Sequence, residues 1–338
     1  MISGRLAPNI VSTGGREQET LLSIYAITGG AGFLGSALAE RLGWAGHQVR
    51  VLDDFSDPAA RGRAEVLRTF PTVTITEGDV CDPSACRNLC AGAEFVLHFA
   101  VPRLETTDAG CVNVILGGTL ALLAAAQGAR RLIVASSSAV YGDSPSPIRH
   151  EGALPDPDTS YACAQLSAEH FCRAAFRRDG LQTVCLRFFE VYGPGMTLEG
   201  SSASRMARLI QAVLTGEAVA ITSADGQARD AIYVSDAVEA TLRAAEAVRG
   251  VGGKVFNVGT GRAQSDAQVR EILEHLTGRS LATYASGERS EDARQGRADT
   301  TAAAGLLQFT ADVPLEEGLA RTLQWAKSTI RTQELCTV

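Results

Sequence analysis

The chain has 338 residues, 45% of them hydrophobic and 20% charged, with a formal charge of −7 and a pI of about 5.4. That balance fits one large or two modest globular units. Its acidity argues against a nucleic-acid-binding surface while leaving room for a local anion pocket, and no unbroken apolar run of about 18 residues is present, so no membrane span is expected.

Residues 1–22 are polar and glycine-rich and lack the apolar centre of a signal peptide, so they are expected to form a flexible leader. Eight cysteines stand at 81, 86, 90, 111, 163, 172, 185 and 336, with no CxxC pair. Cys81, Cys86 and Cys90 are close enough to consider a metal, but small buried thiols are the expectation and no metal site is assigned. With no secretion signal, a reducing cytoplasm fits best. Lysine occurs only at 254 and 327, against 29 arginines, so arginine carries nearly all the positive charge.

In chain order, "SIYAIT" (23–28) predicts a short strand that ends in glycines. "FLGSALAERLGWAG" follows with helical apolar spacing, then "QVRVLDD" as a second strand. Further strands are expected at 72–79, 94–100, 131–138, 182–189 and 254–259, and helices at 112–127, 160–178, 203–215 and 235–248. Alternation of this kind implies right-handed crossovers and an α/β fold, a doubly wound parallel sheet of Rossmann type covered by helices on both faces. The expected organisation is a dinucleotide-binding unit over 23–190, with a strand returning to it near 254–258. A smaller lobe is expected over most of 191–330, and a tail over 331–338.

Between the first strand and helix, "ITGGAGFLGSALAERL" places Gly29, Gly32 and Gly35 in a GxxGxxG spacing. Such a turn lets backbone approach a diphosphate closely, and the helix N-terminus offers free N–H groups to its charge. Asp53 ends the next strand, where a carboxylate suits the adenosine ribose hydroxyls and repels a 2′-phosphate, favouring NAD over NADP. Asp79 ends the third strand and would reach the adenine. Phe33, Leu34, Asp54, Val80 and Ala100 flank these points and complete the candidate cofactor contacts. An unliganded glycine turn is the plain alternative.

The segments "TGGAGFLG", "VLDDFS", "GDVCD", "ASSSAVYGD", "SYACAQ", "LRFFEVYGPG", "GQARDAIYVSDAVEA", "FNVGTG" and "LEEGLARTLQWAK" run in one order from about 24 to 327. In that order they resemble the extended short-chain dehydrogenases/reductases, in the nucleotide-sugar epimerase/dehydratase family. The resemblance implies bound NAD, a nucleotide-sugar substrate and a homodimer packed through the helices at about 112–127 and 160–178. It implies that Ser137 hydrogen-bonds a sugar hydroxyl, with Ser138 beside it, and that Tyr161 takes or returns that hydroxyl's proton. An epimerase of this kind oxidises the sugar to a 4-keto form, lets it turn over and reduces its other face. It also implies that Arg229 and Arg289 grip the diphosphate, as paired guanidiniums do. Arg205 and Arg208 would assist or lie on a solvated helix face. For Ser137 and Tyr161 the plain alternatives are capping and packing.

The chain departs from that pattern in four places. Where the family carries YxxxK, position 165 is Gln, one helical turn from Tyr161. Gln165 can still meet a ribose hydroxyl of the cofactor, but it brings no charge. A cation about 4 Å away at an effective dielectric of about 20 contributes about 4 kcal/mol, so its loss leaves a phenol up to roughly three units more basic. The cationic nicotinamide ring and the helix N-terminus would offset part of this. Glu190 stands where an Asn faces the substrate. It would read a hydroxyl or amine, act as a proton acceptor, or turn outward and pair with an arginine. The Asp-Glu pair that a 4,6-dehydratase would carry is Ser138–Ala139 here, which disfavours dehydration. Finally, "AVPRLETTDAG" is shorter than usual and "NVILGGT" does not align. The expected function is NAD-dependent epimerisation of a nucleotide-sugar. The alternatives are a decarboxylase, dehydratase or reductase of such a sugar, or a catalytically silent binder, a reading that Gln165 favours.

Overall fold

The computed structural model describes residues 22–102, 106–144, 146–198, 200, 203–222, 228–286 and 296–336. Its first half alternates β1 (Ile24–Thr28), α1 (Phe33–Trp44), β2 (Gln48–Asp53), α2 (Ala60–Leu67), β3 (Val73–Glu77), α3 (Pro83–Cys90) and β4 (Phe95–His98). A continuous helical stretch follows, α4 (Asp108–Val112), a π-helical turn Asn113–Gly117 and α5 (Gly118–Ala125). It leads to β5 (Arg131–Ser137), a 3₁₀ turn Ser138–Tyr141, β6 (Ile148–Arg149), α6 (Ser160–Asp179), β7 (Thr183–Phe188) and β8 (Glu190–Tyr192). The rest holds α7 (Arg205–Thr215), β9 (Val219–Thr222), β10 (Ala228–Tyr233), α8 (Val234–Glu246), β11 (Lys254–Val258) and β12 (Ala263–Ser265). It ends with α9 (Asp266–Thr277), β13 (Thr283–Ser286), β14 (Arg297–Ala298) and α10 (Leu315–Cys336).

Seven strands form one parallel sheet in the order β11-β7-β5-β4-β1-β2-β3, the doubly wound arrangement read from the sequence. The chain winds one way from β1 and the other way from β4, so the gap between those strands is the switch point where such sheets bind ligands. Period-two alternation divides the core. Tyr25, Ile27, Val51, Leu97, Ile133 and Leu186 pack with α1 and α8 on one face. Ala26, Leu52, Val96, Leu132 and Val134 pack with α3, α5 and α6 on the other. Cys86, Cys90, Cys172 and Cys185 lie inside this second core, and among the described residues no group of potential ligands could hold a metal ion.

A separate core, that of the smaller lobe, joins Tyr192, Met206, Ile210, Tyr233, Leu273, Leu319 and Leu323 around α7, α9 and α10. It is tied to the sheet by Asp230. Asp230 Oδ1 accepts from Thr260 N and Oγ1 at 2.8 and 2.6 Å, and Oδ2 accepts from Gly261 N and Ala298 N at 2.8 and 3.0 Å.

One helix bears on the expectation of no membrane span. The helical stretch Asp108–Ala125 has a mean hydropathy of 1.6 over 18 residues, long and apolar enough by length and composition to cross a membrane. Leucine, valine, isoleucine and alanine raise the average without forming an unbroken apolar run. In this fold the stretch packs against α3 and α6, and 28% of it is buried.

Candidate active site

The glycine turn is built by close approach. Gly29 has φ +64°, and a Cβ there would lie 2.6 Å from Ala100 N and Phe99 O. A Cβ on Gly35 would lie 2.1 Å from Gly29 O, and one on Gly30 2.7 Å from Val51 Cγ1. Gly30 was not among the sequence candidates, yet it brings the turn onto β2. Gly32 is the N-cap of α1 and supplies no side-chain acceptor, so the first N–H groups of that helix stay available to an anion.

Asp53 sits below this turn, 8% exposed. Its Oδ2 accepts from Ala31 N and its Oδ1 from Phe55 N, both at 2.9 Å. Burial raises its pKa, opposed by those two backbone donors. Phe55, at φ 55°, is one of two described non-glycine residues with positive φ. That conformation costs a bulky residue energy, and here the Asp53 carboxylate ties down its amide. Asp54 is exposed and accepts from Ser56 N and Oγ.

Gly29, Gly32, Phe33, Asp53, Asp54, Asp79, Val80 and Ala100 line one cleft of about 950 Å³ at the switch point. Leu34 and Gly35 do not line it. Leu34 packs between the two cores, and Gly35 lies beneath Gly29. The cleft also takes residues that the sequence did not single out. Arg63, on α2, donates from Nε to Ala31 O at 3.1 Å and from Nη2 to Asp57 Oδ2 at 2.5 Å. Met196 and Leu198 from the "YGPG" loop and Trp325 and Thr329 from α10 complete the wall. No local motif marks them, because tertiary packing brings them there.

Ser137 ends β5 half-buried, and its Oγ accepts from Ala139 N at 3.1 Å, capping the 3₁₀ turn that contains Ser138. Tyr161 is in the first turn of α6, whose N-cap Thr159 accepts from Ala162 N at 3.2 Å. Helix α6 packs along β5 and the 3₁₀ turn, so the two hydroxyl-bearing segments are neighbours. Tyr161 rests against Ile115, Ala164 and Ala168. Ile115 belongs to the π-helical turn whose Val114 lines the cleft. That turn is the "NVILG" text that failed to align. A π-helical turn accommodates one extra residue, and such turns are frequent at functional sites.

Gln165 is 1% exposed, and its Oε1 has no hydrogen-bond partner. Buried acceptors of this kind are met by ordered water or by a ligand, and Gln165 is not among the residues that line the cleft. The glycine cradle and the Asp53 carboxylate meet the needs of a dinucleotide with ribose hydroxyls. The residues therefore fit NAD.

Glu190 turns inward and is already partnered. Its Oε1 accepts from Met206 N at 3.1 Å, and its Oε2 lies 3.4 Å from Arg205 Nε. Arg205, 5% exposed, also donates to Asp266 Oδ1 at 2.7 Å. It is neither a free anchor nor on a solvated face. Arg229 lies on β10 opposite Gln264, half-buried in the smaller lobe. Arg289 lies outside the described residues.

The family described as "NAD dependent epimerase/dehydratase family" matches residues 25–259. The chain belongs to that family. The UDP-N-acetyl-alpha-D-glucosaminuronate decarboxylase of Bacillus cytotoxicus is 31% identical over 315 residues, covering 88% of this chain and 96% of the relative. The UDP-glucose 4-epimerase of Mycolicibacterium smegmatis is 30% identical over 319 residues, covering 89% and 98%. The crystal structure of a UDP-glucuronic acid 4-epimerase from Bacillus cereus, in complex with UDP-glucuronic acid and NAD, superposes with a TM-score of 0.83. It is 27% identical and covers 90% of this chain and 99% of the other. The chain is thus a member of an NAD-dependent group of nucleotide-sugar epimerases and decarboxylases with a Rossmann fold, and NAD is its cofactor.

Proposed function

We propose that this protein is a nucleotide-sugar 4-epimerase that works through a transient 4-keto sugar. The observation that carries the reading is the joint placement of Ser137 at the end of β5 and Tyr161 in the first turn of α6. NAD, when bound, supplies the redox capacity for oxidising and re-reducing C4. Tyr161 takes the proton of the C4 hydroxyl as the alcohol becomes a ketone, and returns it on the way back. Ser137 Oγ hydrogen-bonds the same oxygen and keeps it in line. Gln165 accepts from a ribose hydroxyl through its orphaned Oε1. Arg229 and Arg289 hold the diphosphate of the sugar nucleotide.

Without the lysine charge, the phenolate depends on the N-terminus of α6 and on the ring it faces, so turnover is slow. The same reading pairs two copies through α4–α5 and α6. Val112, Leu120 and Phe171 are 44%, 41% and 46% exposed there, and that apolar surface supports a homodimer. The seven cysteines from Cys81 to Cys185 are free thiols, in keeping with a reducing cytoplasm.

The decarboxylase relative favours a second reading, removal of CO₂ from a nucleotide uronic sugar. Glu190, the residue that would favour this second reading, is already held internally by Met206 N and Arg205. Incubation with UDP-glucose, UDP-glucuronic acid and UDP-N-acetylglucosamine, followed by NMR and mass analysis, separates the readings. A C4 epimer of unchanged mass supports the first, and loss of CO₂ supports the second. Binding without turnover, with turnover restored by Gln165→Lys, marks a silent binder and overturns both.

A further inference from the structure

Behind the two reacting hydroxyls lies a closed polar cluster that neither cofactor nor substrate has been given. Glu169, on α6 one turn beyond Gln165 and two turns beyond Tyr161, is 1% exposed. A carboxylate so deeply buried must be fully partnered, and this one is. Its Oε1 accepts from Ser136 Oγ at 2.6 Å and from Arg187 Nε at 2.8 Å, and its Oε2 accepts from Arg187 Nη2 at 2.7 Å. Ser136 and Arg187 stand opposite each other on β5 and β7, so one carboxylate clips the tyrosine helix to two central strands.

The cluster continues toward the serine. The guanidinium carbon of Arg187 lies 4.7 Å from the ring centre of Tyr141, in the turn that follows Ser137. Arg187 Nη1 is buried without an acceptor, which leaves that electron-rich face as its neighbour. Tyr141 Oη in turn donates to Asn257 Oδ1 at 2.7 Å, and Asn257 Nδ2 donates to Arg149 O at 2.8 Å. A single guanidinium thus touches both segments that carry the reacting hydroxyls, the helix of Tyr161 through Glu169 and the turn of Ser137 through Tyr141.

We propose that Glu169 and Arg187 are positioning residues, which fix the Tyr161 hydroxyl relative to Ser137. This rests on the reading of Ser137 and Tyr161 as the proton-handling pair. Stability alone is a weak reason for such a cluster, since apolar residues of similar volume replace buried ion pairs at little or no cost. Position is a stronger reason, because a productive site tolerates displacements of only about 0.5 Å. In this chain the demand is sharper, because Gln165 brings no charge to compensate for a misplaced phenol.

The test uses the full chain and two variants, Ser136→Ala and the double variant Glu169→Leu/Arg187→Met, assayed with UDP-glucose and UDP-glucuronic acid. The double variant is expected to keep the parent's denaturation midpoint and NAD content and a KM within about twofold, while kcat falls at least about tenfold. Ser136→Ala keeps the ion pair and is expected to fold, with kcat reduced several-fold at unchanged KM. A merely structural cluster predicts the opposite, that a double variant of restored stability has a restored rate. A kcat within about twofold of the parent in the folded double variant overturns the proposal, as it does in Ser136→Ala should the double variant not fold. Crystal structures give an arm independent of turnover. The Tyr161 Oη to Ser137 Oγ separation is expected to change by more than about 0.5 Å, and an unchanged separation overturns the proposal. Should the parent turn over neither sugar, the epimerase reading falls and the crystallographic arm alone decides the positioning role.

Discussion

Gly29 is where a single added methyl group does most damage. Its φ of +64° and the 2.6 Å approach of an added Cβ to Ala100 N and Phe99 O leave no room for alanine, and the obstructing atoms are backbone. Gly29→Ala is expected to lower NAD affinity at least about tenfold, or about 1.4 kcal/mol, read by calorimetric titration of the cofactor-free protein. Gln165 offers the reverse experiment. Gln165→Lys restores a cation one turn from Tyr161, so the pH at which kcat rises is expected to move down by up to about three units. An unmoved pH profile would mean that the position does not govern the phenol. The cleft was legible in part, because the glycine spacing and Asp53 carry a local signature, whereas Ser137 and Tyr161 came from the family resemblance and their roles belong to the proposal. Glu169 was not legible, although it stands in the same run of text as Tyr161. A charged residue at helical spacing reads as a solvated face, and only Ser136 and Arg187, brought up by the sheet, make it a buried anchor.

At the scale of elements, the alternation of strands and helices announced the parallel sheet, and β11 returned to it from the later chain. The π-helical turn Asn113–Gly117 was not readable, because its extra residue leaves an apolar run that passes for an ordinary helix. It surfaced only as a stretch that would not align. The membrane-like hydropathy of Asp108–Ala125 arises in the same helix, where small residues pack it onto α3 and α6. The smaller lobe depends on contacts that no pattern reveals. A Cβ on Gly318, in α10, would lie 2.2 Å from Tyr192 Oη, and Tyr192 is 1% exposed. Gly318→Ala is expected to destabilise the fold by about 1–3 kcal/mol through overpacking. Adding Tyr192→Phe is expected to recover part of that loss in denaturant titration. Equal stability of parent and Gly318→Ala would show that α10 can shift freely.

For the whole molecule, one buried imidazole couples the sheet's switch point to pH. His98, 3% exposed at the end of β4, lies 2.7 Å from Thr28 Oγ1 at the end of β1. Burial lowers its pKa from 6.5 to about 4. Above pH 6.5 the ring is neutral in both states and the group has no effect on stability. As pH falls from 6.5 toward 4, the unfolded chain gains a proton that the folded ring refuses, and stability drops by up to about 3 kcal/mol. Denaturant titrations across that range are expected to give a shallower slope for His98→Gln than for the parent, and equal slopes would remove His98 from the balance. On the proposed reading, the cleft at the switch point and the polar cluster behind Ser137 and Tyr161 serve one act, holding a sugar alcohol where its proton can leave and return. The most direct measurement is the NMR and mass analysis of UDP-glucose and UDP-glucuronic acid after incubation with the purified protein, beside a Tyr161→Phe control. The account predicts a C4 epimer of unchanged mass, formed by the parent and lost in the control. A product lacking CO₂, or an epimer formed equally well without the phenol, would contradict it.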